Sequence, residues 1–136
     1  MSSVARANPS SLDQRDGDVR RLREMWVEAF NRREVERVVS FYAEDAVELP
    51  LNGEPATKGL SAMRELLKAM FAAGFGELRV RQTQVGYTEP LAVEAAMYTI
   101  RAANGSSENG RLVATWRRDE NGKFKITINV WSKELE

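Results

Sequence analysis

The chain has 136 residues, with 20 Lys or Arg balanced by 20 Asp or Glu, 43% hydrophobic and 29% charged residues, which is the composition of one ordinary globular domain. A net charge of zero argues against a nucleic-acid or anionic-membrane partner, since either would want a basic excess. Cysteine and histidine are both absent, which excludes disulfides, thiolate nucleophiles, Cys- or His-based metal sites and the usual general base near neutral pH.

Residues 1–17 are rich in Ser, Asn, Asp, Arg and Pro and read as a mobile leader ahead of a single domain over 18–136. They lack the continuous apolar run of a secretory signal, and no stretch approaches the ~20 apolar residues of a membrane span. A cytoplasmic protein is the expectation. Asp18 is a candidate N-cap. Behind it Val19, Leu22, Trp26, Val27 and Phe30 recur at helical spacing up to Asn31 or Arg32. Val35, Val38, Val39 and Tyr42 place a second short helix over Glu34 to Tyr42. A short strand from Ala46 to Leu49 ends at Pro50, and Asn52-Gly53-Glu54-Pro55 is a turn. A third helix opens after Gly59, with Leu60, Met63, Leu67, Met70 and Phe71 apolar, and closes at Gly74 and Gly76.

Beyond Gly76 the period changes to two. Strands are expected over Glu77–Gly86, Leu91–Ala103, Arg111–Arg118 and Lys123–Ser132. The last two are joined by the hairpin signal Asp119-Glu120-Asn121-Gly122. Three helices followed by a four-stranded meander describe an α+β domain with helices on one face of an antiparallel sheet. In the last strand Phe124, Ile126, Ile128 and Val130 form one row, and Lys125, Thr127, Asn129 and Trp131 the other. Helices can cover one face only, so the apolar row of Phe124, Ile126, Ile128 and Val130, on the open face, calls for a cover. A homodimer through the sheet supplies one; the long turn around Gly105 folding back is the alternative.

These elements resemble the nuclear-transport-factor-2-like superfamily, in particular its small SnoaL-like and ketosteroid-isomerase-like members. The resemblance rests on FNRREVERVVSFYAEDAVELP, GLSAMRELLKAMF and RLVATWRRDENGKFKITINVWS in that order. It implies a cystatin-like cone, in which a curved antiparallel sheet wraps a long N-terminal helix and leaves a deep apolar pocket, and it implies frequent dimers. In ketosteroid isomerases a Tyr on the first helix and an acid on a late strand polarise the carbonyl, while an acid before the Pro of the first strand moves the proton. Those positions match Trp26, Ala114 and Leu49 here, so the resemblance does not carry that reaction to this chain. The pocket wall it does carry comprises Trp26, Phe30, Tyr42, Leu49, Ala114, Asn129 and Trp131.

Each of these residues has a plainer reading beside the functional one. Trp26, Phe30 and Trp131 sit at spacings that also fill a core. Tyr98 and Trp116 have a face that depends on register. Glu48 flanks Leu49 and, by strand alternation, points away from it, as an edge residue or a substitute base. Asp45 closes a turn. Arg79 and Arg81 read as surface or dimer-rim charges, and Arg101 as reaching the pocket mouth. Asn129 can bind but cannot abstract a proton. No cofactor motif and no carboxylate cluster at metal-ligand spacing is present. Three readings follow: a binder of a small apolar molecule, a SnoaL-like enzyme (isomerase, cyclase, dehydratase or hydrolase) using an unrecognised acid such as Glu48, or a dimeric association module.

Overall fold

The fold opens on a long helix, α1 (Pro9–Asn31). The computed structural model describes residues 9–134, with side chains from Asp18 onward and without that of Thr83; residues 1–8 of the expected leader lie outside the described residues. Helix α1 therefore starts ahead of Asp18, at a proline, which the first helical turn accommodates because its missing N–H would have no partner there. Val19, Arg23, Trp26 and Phe30 follow one another along its buried face at the spacing of a helical stripe.

Helix α2 (Val35–Val39) buries Val38 and Val39. It stops short of Tyr42, which opens strand β1 (Tyr42–Pro50) instead of ending the helix. The Phe41-Tyr42 pair favours extended backbone, and Tyr42 is held in the sheet by pairing with Ile126. A two-residue strand β2 (Thr57–Lys58) precedes α3 (Leu60–Ala73), which buries Met63, Leu67 and Phe71. Helix α3 ends at Gly74, whose φ of 105° is one that a side chain would resist. Phe30 stacks on Trp26 at 5.4 Å and meets Phe71 edge-on at 4.9 Å, which fastens α1 to α3.

Strands β3 (Gly76–Thr88), β4 (Leu91–Arg101), β5 (Ser107–Arg118) and β6 (Phe124–Lys133) form the expected meander. Among the described residues the sheet has six strands in the order β2-β1-β6-β5-β4-β3. Strand β1 lies parallel to β6, so the sheet is mixed and not wholly antiparallel. The intervening chain from β2 to β5 is long enough to serve as the crossover that a parallel pair requires.

Two local features decide which side chains face the helices. In β6 the pairing with β5 shifts between Thr115–Ile128 and Trp116–Ile126, so Thr127 is an extra residue. A bulge of this kind reverses the alternation. Phe124 and Ile126 face the core, whereas Ile128 and Val130 turn to the open side and Asn129 turns inward. The continuous apolar row expected along β6 is thus split in two. In β1, Ala46 and Glu48 are buried and Leu49 points outward beside Val130. The assignment of Leu49 to the pocket wall, and of Glu48 to an exposed edge, is reversed by this register.

The open face carries two cross-strand rows. Val93, Thr115, Ile128 and Val47 form one; Ala95, Val113, Val130 and Leu49 form the other. Val93 and Val113 are 47% exposed and Ile128 43%, so the turn around Gly105 does not cover them.

Candidate functional site

Arginine 23 occupies a position that the helical stripe of α1 would give to an apolar residue. Its side chain is 2% exposed and its guanidinium lies 4.9 Å from the Trp26 ring centre and 5.4 Å from that of Trp116. What permits the burial is Glu94, which stands between Ala92 and Ala96 on the inner row of β4 and is fully buried. Arg23 Nε donates to Glu94 Oε2 at 3.0 Å and Nη2 donates to Oε1 at 2.7 Å, the two-pronged geometry that a planar guanidinium offers a carboxylate. Trp116 Nε1 and Gln82 Nε2 each add a donor to Glu94 at 2.9 Å. Burial works against the Glu94 charge, but Arg23 and these donors outweigh it and hold the carboxyl below its usual range.

A second buried carboxyl lies across Asn129. Asn129 Oδ1 accepts from Arg23 Nη2 at 3.3 Å, and its Nδ2 donates to Glu48 Oε2 at 2.8 Å. The guanidinium fixes which end of the amide is the acceptor, so the other end must donate. Tyr42 donates its hydroxyl to Glu48 Oε1 at 3.1 Å, and the Trp131 side chain lies beside this carboxyl and helps to lower its pKa. Glu48 has only neutral direct partners, because Arg23 is committed to Glu94. Burial pushes Glu48 up to about 7, against the opposing pull of Asn129, Tyr42 and, at longer range, Arg23. Burial, with Glu48 beside it, likewise drives the Tyr42 hydroxyl well above its ordinary value, so Tyr42 remains a donor across the physiological range.

One donor in this cluster has no hydrogen-bond partner, the buried Arg23 Nη1. An unpaired buried donor costs about 1–3 kcal/mol, so it marks a place where a polar group is wanted. A cleft of about 370 Å³ between α1 and β3 reaches the cluster. Arg20, Arg23, Val27, Val80 and Gln82 are among its walls. Arg20 Nη1 donates to Gln82 Oε1 at 3.2 Å across it, and Gln82 in turn donates to Glu94. The volume falls within the range of small-molecule sites. Among the described residues no group of three or more Asp or Glu could hold a metal ion.

The profile of the SnoaL-like domain matches residues 23–126 of the chain. The chain belongs to the SnoaL-like domain family. The matched segment runs from Arg23 to Ile126 and so includes both buried carboxyls. Solved structures agree on the fold. A ketosteroid isomerase-like protein from Erwinia carotovora atroseptica is 19% identical, with a TM-score of 0.77 over 88% of this chain and 96% of that one. A nuclear-transport-factor-2-like protein with a cystatin-like fold from Novosphingobium aromaticivorans is 17% identical, with a TM-score of 0.80 over 98% and 91%. A protein of the same superfamily and of unknown function from Pseudomonas putida is 19% identical, with a TM-score of 0.76 over 91% and 89%. The curated proteins contain no match.

Within this SnoaL-like domain Tyr42, Asn129 and Trp131 converge on Glu48, with Trp26 beside them and Phe30 stacked beneath Trp26. Ala114 lies inward between Glu94 and Asn129 in the register. Leu49 is the one proposed wall residue placed on the opposite face. Although the positions matched to the isomerase acids hold Leu49 and Ala114, the interior does contain carboxyls: Glu48 supplies one a residue before the position assigned to the base, and Glu94 another on the strand beside Ala114. Trp116 faces inward and Tyr98 is half-buried. Arg23 and Glu94 were missed as site residues, although each stands at a core-facing register position, which is the signal that could have found them.

Proposed function

We propose that the interior of this domain is a general acid–base site for a small, neutral, mostly apolar molecule, with Glu48 as the proton carrier and Tyr42 and Asn129 as its positioning residues. The observation that supports this reading is the unequal treatment of two buried carboxyls. Glu94 is paired with the buried cation Arg23 and stays ionised, while Glu48 has neutral direct partners and titrates near neutrality. Separation of that kind is what acid–base chemistry at pH 7 needs. Neutrality of the ligand follows from charge balance, since Arg23 and Glu94 already cancel. Arg23 Nη1 is the free donor for the ligand's polar group. The α1–β3 cleft is its route. The reaction classes that suit such a site are isomerisation, cyclisation, dehydration and epoxide hydrolysis.

The test is a panel of unsaturated ketones and epoxides incubated with the protein in D2O and followed by NMR. Deuterium incorporation or turnover of a panel member is expected, with the rate at least about 10²-fold lower in Glu48→Gln. Equal rates in the wild type and this variant would contradict the assignment.

We further propose that a second copy of the chain covers the open face of the sheet. The two rows of Val93, Val113, Ile128 and Val130 with their neighbours contain no charged residue, and copies of zero net charge meet without repulsion. Light scattering should give a dimer mass for the wild type and a monomer mass for Ile128→Glu, which buries a charge at the patch centre. A dimer that survives the substitution would rule this face out.

A further inference from the structure

We propose that the cleft between the end of α1 and the start of β3 is a second ligand site, separate from the Glu48 interior, and that it takes a small oxyanion carrying two negative charges, such as a phosphate monoester or a dicarboxylate. The cleft encloses about 740 Å³, and its walls include Arg33, Gly76, Glu77, Arg79, Arg101 and Ser107. Three guanidiniums against one carboxylate leave it strongly positive. It shares none of its walls with the cleft that leads to Arg23.

The backbone is bent in two places to make this arrangement. Arg33, just beyond α1, and Glu77, at the start of β3, are the described non-glycine residues with positive φ, at 60° and 49°. Both line this one cleft. A left-handed conformation at a residue with a side chain is unfavourable, and such residues gather at functional sites. At Glu77 the cause is visible: the β3–β4 pairing shifts between Gly76–Arg101 and Arg79–Thr99, so the strand bulges there and re-aims its side chains. Asn31 locks the bulge to α1 through a reciprocal pair, its Nδ2 donating to the Leu78 carbonyl at 2.9 Å and its Oδ1 accepting from the Leu78 N–H at 2.8 Å.

Two of the arginines are held close together. A Cβ placed on Gly76 would meet Arg101 Nη2 at 3.0 Å and Arg33 Nη2 at 3.8 Å, so both guanidiniums rest on the same glycine. Arg33 is fixed by donating Nη1 to the Phe71 carbonyl at 2.8 Å. Arg101 donates Nη2 to the Gly74 carbonyl at 3.4 Å and pairs with Glu77 at 2.6 Å. The side chain of Arg79, an exposed residue, makes no hydrogen bond or ion pair among the described residues. Like charges so gathered repel unless an anion joins them, and planar guanidiniums match the paired oxygens of phosphate and carboxylate. Glu77 is 72% exposed and its pairing is therefore weak, so an incoming dianion displaces it at little cost.

Isothermal titration calorimetry at low ionic strength, with sodium phosphate in one arm and succinate in the other, tests this. Saturable binding to one site is expected. The tighter arm tells whether the ligand's anion is a phosphate or a pair of carboxylates. Arg79→Gln and Arg101→Gln should each weaken it by about tenfold or more. Glu77→Gln should strengthen it, and Arg81→Gln should leave it unchanged, since Arg81 lies on the wall of the cleft that leads to Arg23. The Arg79 side chain makes no hydrogen bond or ion pair among the described residues, and the substitution leaves its backbone pairing with Thr99 in place, so its variant is informative even where Arg101→Gln is poorly folded. Absence of saturable binding in both arms would overturn the proposal, as would undiminished binding by Arg79→Gln.

Discussion

Replacing Arg23 by methionine is expected to cost about 3–5 kcal/mol of folding stability, a large share of the 5–15 kcal/mol typical of a domain. The methionine stem fills much of the same volume, so lost packing is the smaller part. The larger part is Glu94, which is fully buried and would keep its position with no cation to balance it. Gln82 and Trp116 would still donate to it, but neutral donors do not offset the burial of a charge. Urea denaturation at pH 7 would show the midpoint falling. The double variant Arg23→Met with Glu94→Leu removes both charges and should recover most of the loss, because an apolar pair of similar volume tends to match a buried ion pair. Equal destabilisation by the single and double variants would mean that Arg23 matters for shape alone.

Glu48→Gln is expected to make the protein more stable at pH 8 and to leave it nearly unchanged at pH 4. In the folded protein Glu48 is raised from 4.5 to about 7, so the native state holds its proton more tightly than the unfolded chain does. Between those values the unfolded state binds fewer protons, and stability falls as pH rises. The fall begins near the unfolded value and is complete above the folded one. The gap corresponds to ~3 kcal/mol, and the group is 8% exposed, so solvent screens little of it. Glutamine has no proton to lose and escapes the penalty, while its amide can still accept from Asn129 and donate to the Tyr42 oxygen. Glu94, held low by Arg23, acts with the opposite sign: its contribution is present above the unfolded value and is lost as pH falls through the folded one. Thermal melts of both proteins from pH 4 to pH 9 should therefore converge in acid and separate in base. Curves that stay parallel would show that Glu48 ionises as freely as a surface carboxylate.

A residue kept at such a cost in stability is the kind that function retains. Most of the fold around it was legible from hydropathy. The stripe along α1, the glycine stop at Gly74 and the Asn121-Gly122 hairpin each announce themselves through local rules. The parallel pairing of β1 with β6 was not legible, because it joins segments far apart in the chain and no local pattern records it. The face of Asn129 was assigned correctly. That of Ile128 came out with the wrong neighbours, since a single extra residue at Thr127 reverses every side chain after it. Glu48 was misplaced for a related reason: alternation fixed its position relative to Leu49, but which of the two faces inward depended on β6. Arg23 and Glu94 stood at apolar register positions on separate elements, and only their contact shows that the two irregularities answer each other.

The most direct measurement is a pH titration of the carboxyl carbons by NMR, with protein carrying ¹³C at the glutamate side chains. The wild type should show one glutamate titrating near pH 7 that is missing from Glu48→Gln, and another, missing from Glu94→Gln, that remains ionised below the ordinary glutamate range. A wild-type spectrum in which every glutamate titrates below about pH 5 would contradict the assignment of Glu48 as the proton carrier.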